Sequence, residues 1–169
     1  LIRHLLLAGL CGLTVTGAAR AQPGPALPTP DFITAAAQTD AFERREGHLA
    51  DMRADDSQVR DFGQTMVADH THTTEALMAA LRRAGLSVPP GPPISADQQA
   101  DIATLQSLHG RAFDRAYVDQ QIRAHETALG VMQAYAAGGD NPVLRKAAAE
   151  TVPIIQHHLE MARSLSGAL

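Results

Sequence analysis

Eight of the ten prolines in this 169-residue chain stand in two short stretches, residues 22–30 and 86–94. That distribution limits the fold more than any other feature. Proline removes a backbone donor and interrupts both helices and central strands. Ordered elements must therefore lie between and beyond these stretches. There the apolar residues recur every three or four positions, which is the helical period. No run alternates apolar and polar residues with β-branched enrichment, so strand signals are absent.

Turn and capping residues set the limits of each helix. Helix A is expected from about Asp31 to Ala54, with Thr29 as N-cap and Pro30 at the first helical position. Asp55 or Asp56 caps helix B, with Gln58 as capping-box partner, and Gly85 stops it after Ala84. Ser95 and Gln98 open a shorter helix that ends near His109-Gly110. Helix C covers about Arg111 to Ala137 and ends at Gly138-Gly139. Asn141-Pro142 then starts helix D, which runs to about Ser166. The A–B and C–D turns are short, so each pair forms an antiparallel hairpin. The expected fold is all-α: an up-down antiparallel four-helix bundle with an extra short helix in the long B–C connection, covering one end or side. Gly47, Gly63 and Gly130 sit inside helices at a cost of about 1 kcal/mol each relative to Ala. Close helix approach is the expected reason.

The first residues read as an export leader. Arg3 and His4 precede a short apolar stretch, Leu5 to Ala18, and Ala19-Arg20-Ala21 supplies a small-x-small cleavage pattern. The domain plan is thus a signal peptide at 1–21, a proline-rich linker at 22–30 and a bundle domain at 31–166. Removing the leader takes the single cysteine, Cys11, and excludes an intrachain disulfide or a thiolate ligand. It also takes Arg3 and Arg20 but no acidic residue, moving the net charge from −4 to −6. An acidic chain without Trp or a basic patch argues against nucleic acid. No later segment is apolar enough to span a membrane. A periplasmic or secreted location follows as the expectation.

Several polar residues fall where the core should be. Glu43 lies seven residues after Ala36 and four before Gly47. His70 stands four after Met66 and seven before Leu77. His125 fills a gap in the stripe Val118, Ile122, Leu129, Met132, and His158 falls between Ile154/Ile155 and Ala162/Leu165. At 1.5 Å per residue, the paired positions differ in depth by roughly 5 Å within each hairpin. Four inward, metal-competent groups at mid-height form a candidate site for one transition metal ion: zinc, iron, copper or manganese. A buried carboxylate at Glu43 needs a cation, a protonated histidine or a metal. The rival account is a metal-free Glu–His hydrogen-bond network. Met66, Met132 and Met161 fall near the histidines at helical spacing and add a little to a copper variant. Asp69 is placed either to orient a histidine or as an ordinary surface carboxylate, and Glu46 as a second carboxylate or an edge residue. Asp114 and Tyr117 suit buried hydrogen bonding. Pro153 sits inside helix D and is expected to kink it. His48, His72, His109 and His157 face outward.

The stretches Phe42-Glu43, Met66-Val67-Ala68-Asp69-His70-Thr71, Phe113 to Val118, His125, and Pro153 with His158-Leu159 resemble a bacterial secreted family called domain of unknown function 4142. The resemblance covers about Asp31 to Leu165. It implies a ferritin-like bundle, with Glu43, His70, His125 and His158 at the matching positions. The family's frequent label "putative outer membrane protein" meets no barrel strands here. The ferritin-like superfamily suggests di-iron chemistry, which wants Glu-x-x-His on two helices. No Glu-x-x-His occurs in this chain, so a mononuclear site is the expectation. Three roles stay open: a module that holds one metal ion for handling or stress protection, a metal-dependent oxidoreductase, and a structural or interaction bundle with no metal. The first is favoured over an enzyme.

Overall fold

The computed structural model describes residues 24–87, 91 and 93–169. The proposed leader, Cys11 and the start of the linker lie outside the described residues. Five helices form: α1 Thr29–Arg53, α2 Ser57–Arg83, α3 Ala96–Ser107, α4 Gly110–Gly138 and α5 Pro142–Ala168. Among the described residues there is no strand, and no helix is long and apolar enough to cross a membrane.

Most caps form as the side chains dictate. Asp56 accepts from the Gln58 amide, Ser95 and Gln98 make a full capping box, and Asn141 accepts from Val143 and Leu144 beside Pro142. Gly85 ends α2 with φ +70°, a conformation that suits glycine. The start of α1 differs from expectation. Pro28 occupies the N-cap, and the Thr29 hydroxyl turns away to Tyr135 Oη at 2.6 Å and to Asp140. The α4–α5 turn competes for that hydroxyl and wins. Helix α5 runs on through Pro153, whose ring lies on the exposed side where its missing hydrogen bond is least costly.

Contacts at the two ends set the topology. Phe32 stacks on Tyr135 at one end of α1, with centroids 3.8 Å apart, and Arg53 lies over the Phe113 ring at the other. Helices α1 and α4 are therefore antiparallel. Helix α5 runs antiparallel to α4, since Arg163 pairs with Glu126 and Arg115 reaches the Leu169 carbonyl. It follows that α2 and α4 point the same way, and their connection must return along the length of the bundle. Helix α3 lies along the α1–α4 side, held where Arg53 donates to the Gln106 carbonyl and Gln120 to that of Asp101.

Two apolar clusters close the bundle ends. Val59, Phe62, Met66, Leu105, Phe113 and Tyr117 fill one, and Phe32, Leu81, Tyr135 and Leu144 the other. The buried histidines, with Asp40, Glu43, Glu46 and Gln121, occupy the layer between them.

The tightest helix contact is between α1 and α2. A Cβ on Gly47 would stand 2.7 Å from the Gly63 carbonyl oxygen, and one on Gly63 would stand 2.8 Å from both Ala50 Cβ and the Gly47 oxygen. Close approach thus explains Gly47 and Gly63. It does not explain Gly130, which faces solvent with nothing within 4 Å. These glycines predict opposite signs. Gly130→Ala gains helix propensity without a clash and should stabilise by about 1 kcal/mol. Gly47→Ala and Gly63→Ala meet backbone and should destabilise by ~1–3 kcal/mol. Urea unfolding of the three variants checks this; a stabilised Gly63→Ala would show that the two helices are not held by that contact.

Candidate metal centre

The Gly47–Gly63 contact also sets register. Seven residues are two helical turns and return to the same face. Moving seven back from Gly47 reaches Asp40, and seven forward from Gly63 reaches His70. These two meet: His70 Nδ1 lies 2.9 Å from Asp40 Oδ1, both buried. Asp40 also accepts from Thr73 Oγ1 at 2.8 Å and Thr74 Oγ1 at 2.9 Å, so the carboxylate is surrounded by donors.

His125 and His158 reach the same level from the other hairpin. The three rings sit with centroids 5.2–5.5 Å apart, each buried to 4 % exposure or less. One nitrogen from each lies within 4.8 Å of the others. Hydrogen bonding assigns the protons. His70 Nδ1–H donates to Asp40. His125 Nδ1–H donates to the Gln121 carbonyl at 2.9 Å, and His158 Nε2–H to Asp69 Oδ2 at 3.0 Å. Every ring is thus anchored through its outer N–H, and its inner nitrogen carries a lone pair. His125 Nε2 and His158 Nδ1 are 3.2 Å apart, and His70 Nε2 is buried with no hydrogen-bond partner. Converging lone pairs repel unless a proton or a cation lies among them.

This arrangement fits a metal by its donor chemistry. Outer partners that fix the tautomer and orientation of ligating histidines are the usual support of such sites. Three neutral imidazoles keep the full charge of an ion, while Asp40 and Asp69 supply two negative charges one bond further out. The 3.2 Å pair already matches tetrahedral zinc, for which Zn–N of about 2.05 Å implies N···N near 3.3 Å; the third nitrogen must close by up to ~1.5 Å. A cavity of about 20 Å³ adjoins the rings, room for one water-sized ligand. It shares Asp40, Thr73, Met132 and Thr151 with a larger pocket of about 320 Å³ between α2 and α5, which carries His72, Arg83 and Glu150.

Of the four residues expected at the site, three converge and Glu43 does not. Glu43 is fully buried, but its Oε1 stands 3.7 Å from His125 Nδ1, the outer nitrogen already donated to Gln121. It belongs one turn away, where Gln121 Nε2 donates to Glu43 Oε2 at 2.5 Å and to Glu46 Oε2 at 2.9 Å. Glu46 is therefore a second buried carboxylate and not an edge residue. Helix α1 gives the histidine layer Asp40 instead, which sequence reading missed although 36, 40, 43, 47 and 50 form one continuous helical stripe. Gln121 was missed too, one turn before His125. Asp69 does orient a histidine, but it is His158 of the other hairpin. Asp114 makes the buried hydrogen bonds expected of it, accepting from the Asp55 and Asp56 amides at 3.0 Å. Of the methionines, only Met132 lines the cavity beside the rings.

Burial dominates the electrostatics. It lowers the His125 pKa to about 3, helped by the neighbouring His70 and His158 and opposed by the Gln121 carbonyl. Burial lowers His158 as well, against its bond to Asp69. Glu43 is raised well above the carboxylate range by burial and then by Glu46, and Glu46 is raised to about 8 chiefly by burial.

The model of the family described as "Domain of unknown function (DUF4142)" matches residues 14–165, and the chain belongs to that family. A crystal structure of a DUF305 fragment from Deinococcus radiodurans superposes with a TM-score of 0.72 at 21 % identity, covering 86 % of this chain and all of that one. At that identity the likeness shows the fold alone. No curated protein matches the chain.

His125 gives a pH prediction for metal-free protein. Its folded pKa lies below the ordinary imidazole value, so its contribution is complete above pH ~6.5 and is lost as pH falls toward about 3. Over that window it should remove up to about 1.4 kcal/mol per pH unit. Glu43 and Glu46 act oppositely, since raised carboxyls lose their contribution as pH rises through their folded values. Denaturant unfolding in chelator across this range should show a shallower acid slope in His125→Gln; an unchanged slope would remove His125 from the account.

Proposed function

We propose that this DUF4142 protein is an exported bundle that binds one divalent transition metal ion on His70, His125 and His158, and holds it without turning over a substrate. The observation that carries the reading is the set of three inward lone pairs, each fixed by an outer hydrogen bond to Asp40, the Gln121 carbonyl or Asp69. Zinc suits the donors best, being served by three imidazoles and a small fourth ligand. Copper, iron and manganese are the other ions the residue types admit, and manganese is disfavoured by an all-nitrogen set. Charge supports a divalent ion, because Asp40 and Asp69 balance two positive charges across the rings they orient.

Export rests on the leader pattern at 1–21. The water-sized cavity favours exchangeable binding, since an ion there keeps a position open to a small exogenous ligand. Such a site suits buffering or delivery of the ion in the periplasm.

Protein purified without a metal-binding tag should carry, or take up, about one equivalent of zinc. Saturating zinc at 100 times Kd should stabilise it by about 2.7 kcal/mol. His70→Ala should abolish both effects, and Asp40→Asn should weaken binding by about 10- to 100-fold through loss of the outer anchor. Isothermal titration and thermal melts read these outcomes. No uptake of zinc, copper or iron and no change in Tm would leave a metal-free polar network that serves only packing.

A further inference from the structure

One turn from the histidines lies a second group of buried polar atoms that the proposed metal centre does not use. Glu43 and Glu46 are both fully buried, three residues apart on α1. A single neutral donor, the Gln121 side-chain amide, serves one oxygen of each. Their other oxygens, Glu43 Oε1 and Glu46 Oε1, have no hydrogen-bond partner, and neither does Gln121 Oε1. Tyr117 stands one turn before Gln121 on the same face of α4. Its side chain is fully buried, its hydroxyl is unpartnered, and it is close enough to both carboxylates to feel their charge. Four orphaned oxygens on two facing helices call for a partner, because buried polar atoms are nearly always satisfied.

We infer that Glu43, Glu46, Gln121 and Tyr117 form a second, all-oxygen site that takes a hard divalent cation. Two carboxylates balance its charge, and an amide carbonyl and a phenol complete a donor set that nitrogen-seeking ions do not prefer. Turning the Gln121 amide by half a revolution would replace the NH₂ between the carboxylates with its carbonyl oxygen. The same side chain can thus bridge the pair when empty and ligate when filled. Asp101 on α3 lies near Glu46 and is only partly buried, paired at 3.8 Å with exposed Arg123. Gln121 links the two sites, since its backbone carbonyl orients His125 while its side chain holds the carboxylates.

Mn²⁺ is the probe, read by the loss of free-ion paramagnetic resonance signal in protein given one equivalent of Zn²⁺. Wild type should retain about one Mn²⁺, and Glu46→Gln should weaken it by roughly tenfold or more through loss of one ligand charge. His70→Ala should lose zinc and keep manganese. Should Glu46→Gln fail to match wild-type helicity, Glu43→Gln replaces it. No Mn²⁺ retained at millimolar concentration, equal binding by the glutamine variant, or joint loss of both ions in His70→Ala would overturn the second site. Manganese binding by a wild type that takes no zinc would uphold it and sink the histidine reading alone.

Discussion

The close approach of Gly47 and Gly63 governs most of what is specific about this bundle. A backbone carbonyl of one helix sits where the other would place a Cβ, so the two glycines let the helices interlock closely at this register. Two turns away, that register puts the Asp40 carboxylate against the His70 ring. A shift of one turn along α1 would offer Glu43 to the same histidine. The choice between Asp40 and Glu43 as the outer anchor of His70 is therefore made by helix packing and not by the acids themselves.

Apolar clusters at both ends carry the stability that the polar middle layer does not. Phe32, Tyr135 and Leu144 seal one end, and Phe62, Phe113 and Tyr117 the other. Between them the bundle buries three histidines, two glutamates and an aspartate, groups whose desolvation is costly unless each is paired. The histidines meet that condition on their outer sides, which orients them and leaves their inner nitrogens for a ligand. Pairing is incomplete at both polar levels, and the unpaired atoms face inward. That pattern is what supports the proposed metal reading over a hydrogen-bond network built only for packing.

Much of this was legible in the chain. Proline clusters and capping residues located every helix to within a few residues, because local backbone chemistry needs no partner. Helical spacing identified His70, His125 and His158 as inward, and their similar depth followed from rise per residue. Asp40 was legible but overlooked in the stripe it shares with Glu43. Orienting a histidine was one of two roles open to Asp69, but which histidine was not legible, since its partner His158 lies 89 residues away on the opposite hairpin.

By itself, then, the sequence determined the number of helices, their ends, the faces they bury and the three imidazoles that face the axis. These depend on periodicity and on contacts within a few residues. Only the tertiary structure decided that α2 and α4 run parallel, that Asp40 and not Glu43 joins the histidine layer, and which nitrogen of each ring points inward. Those outcomes turn on register and rotation between helices. A side chain on a face is fixed by spacing, but what it meets depends on how closely two backbones can approach.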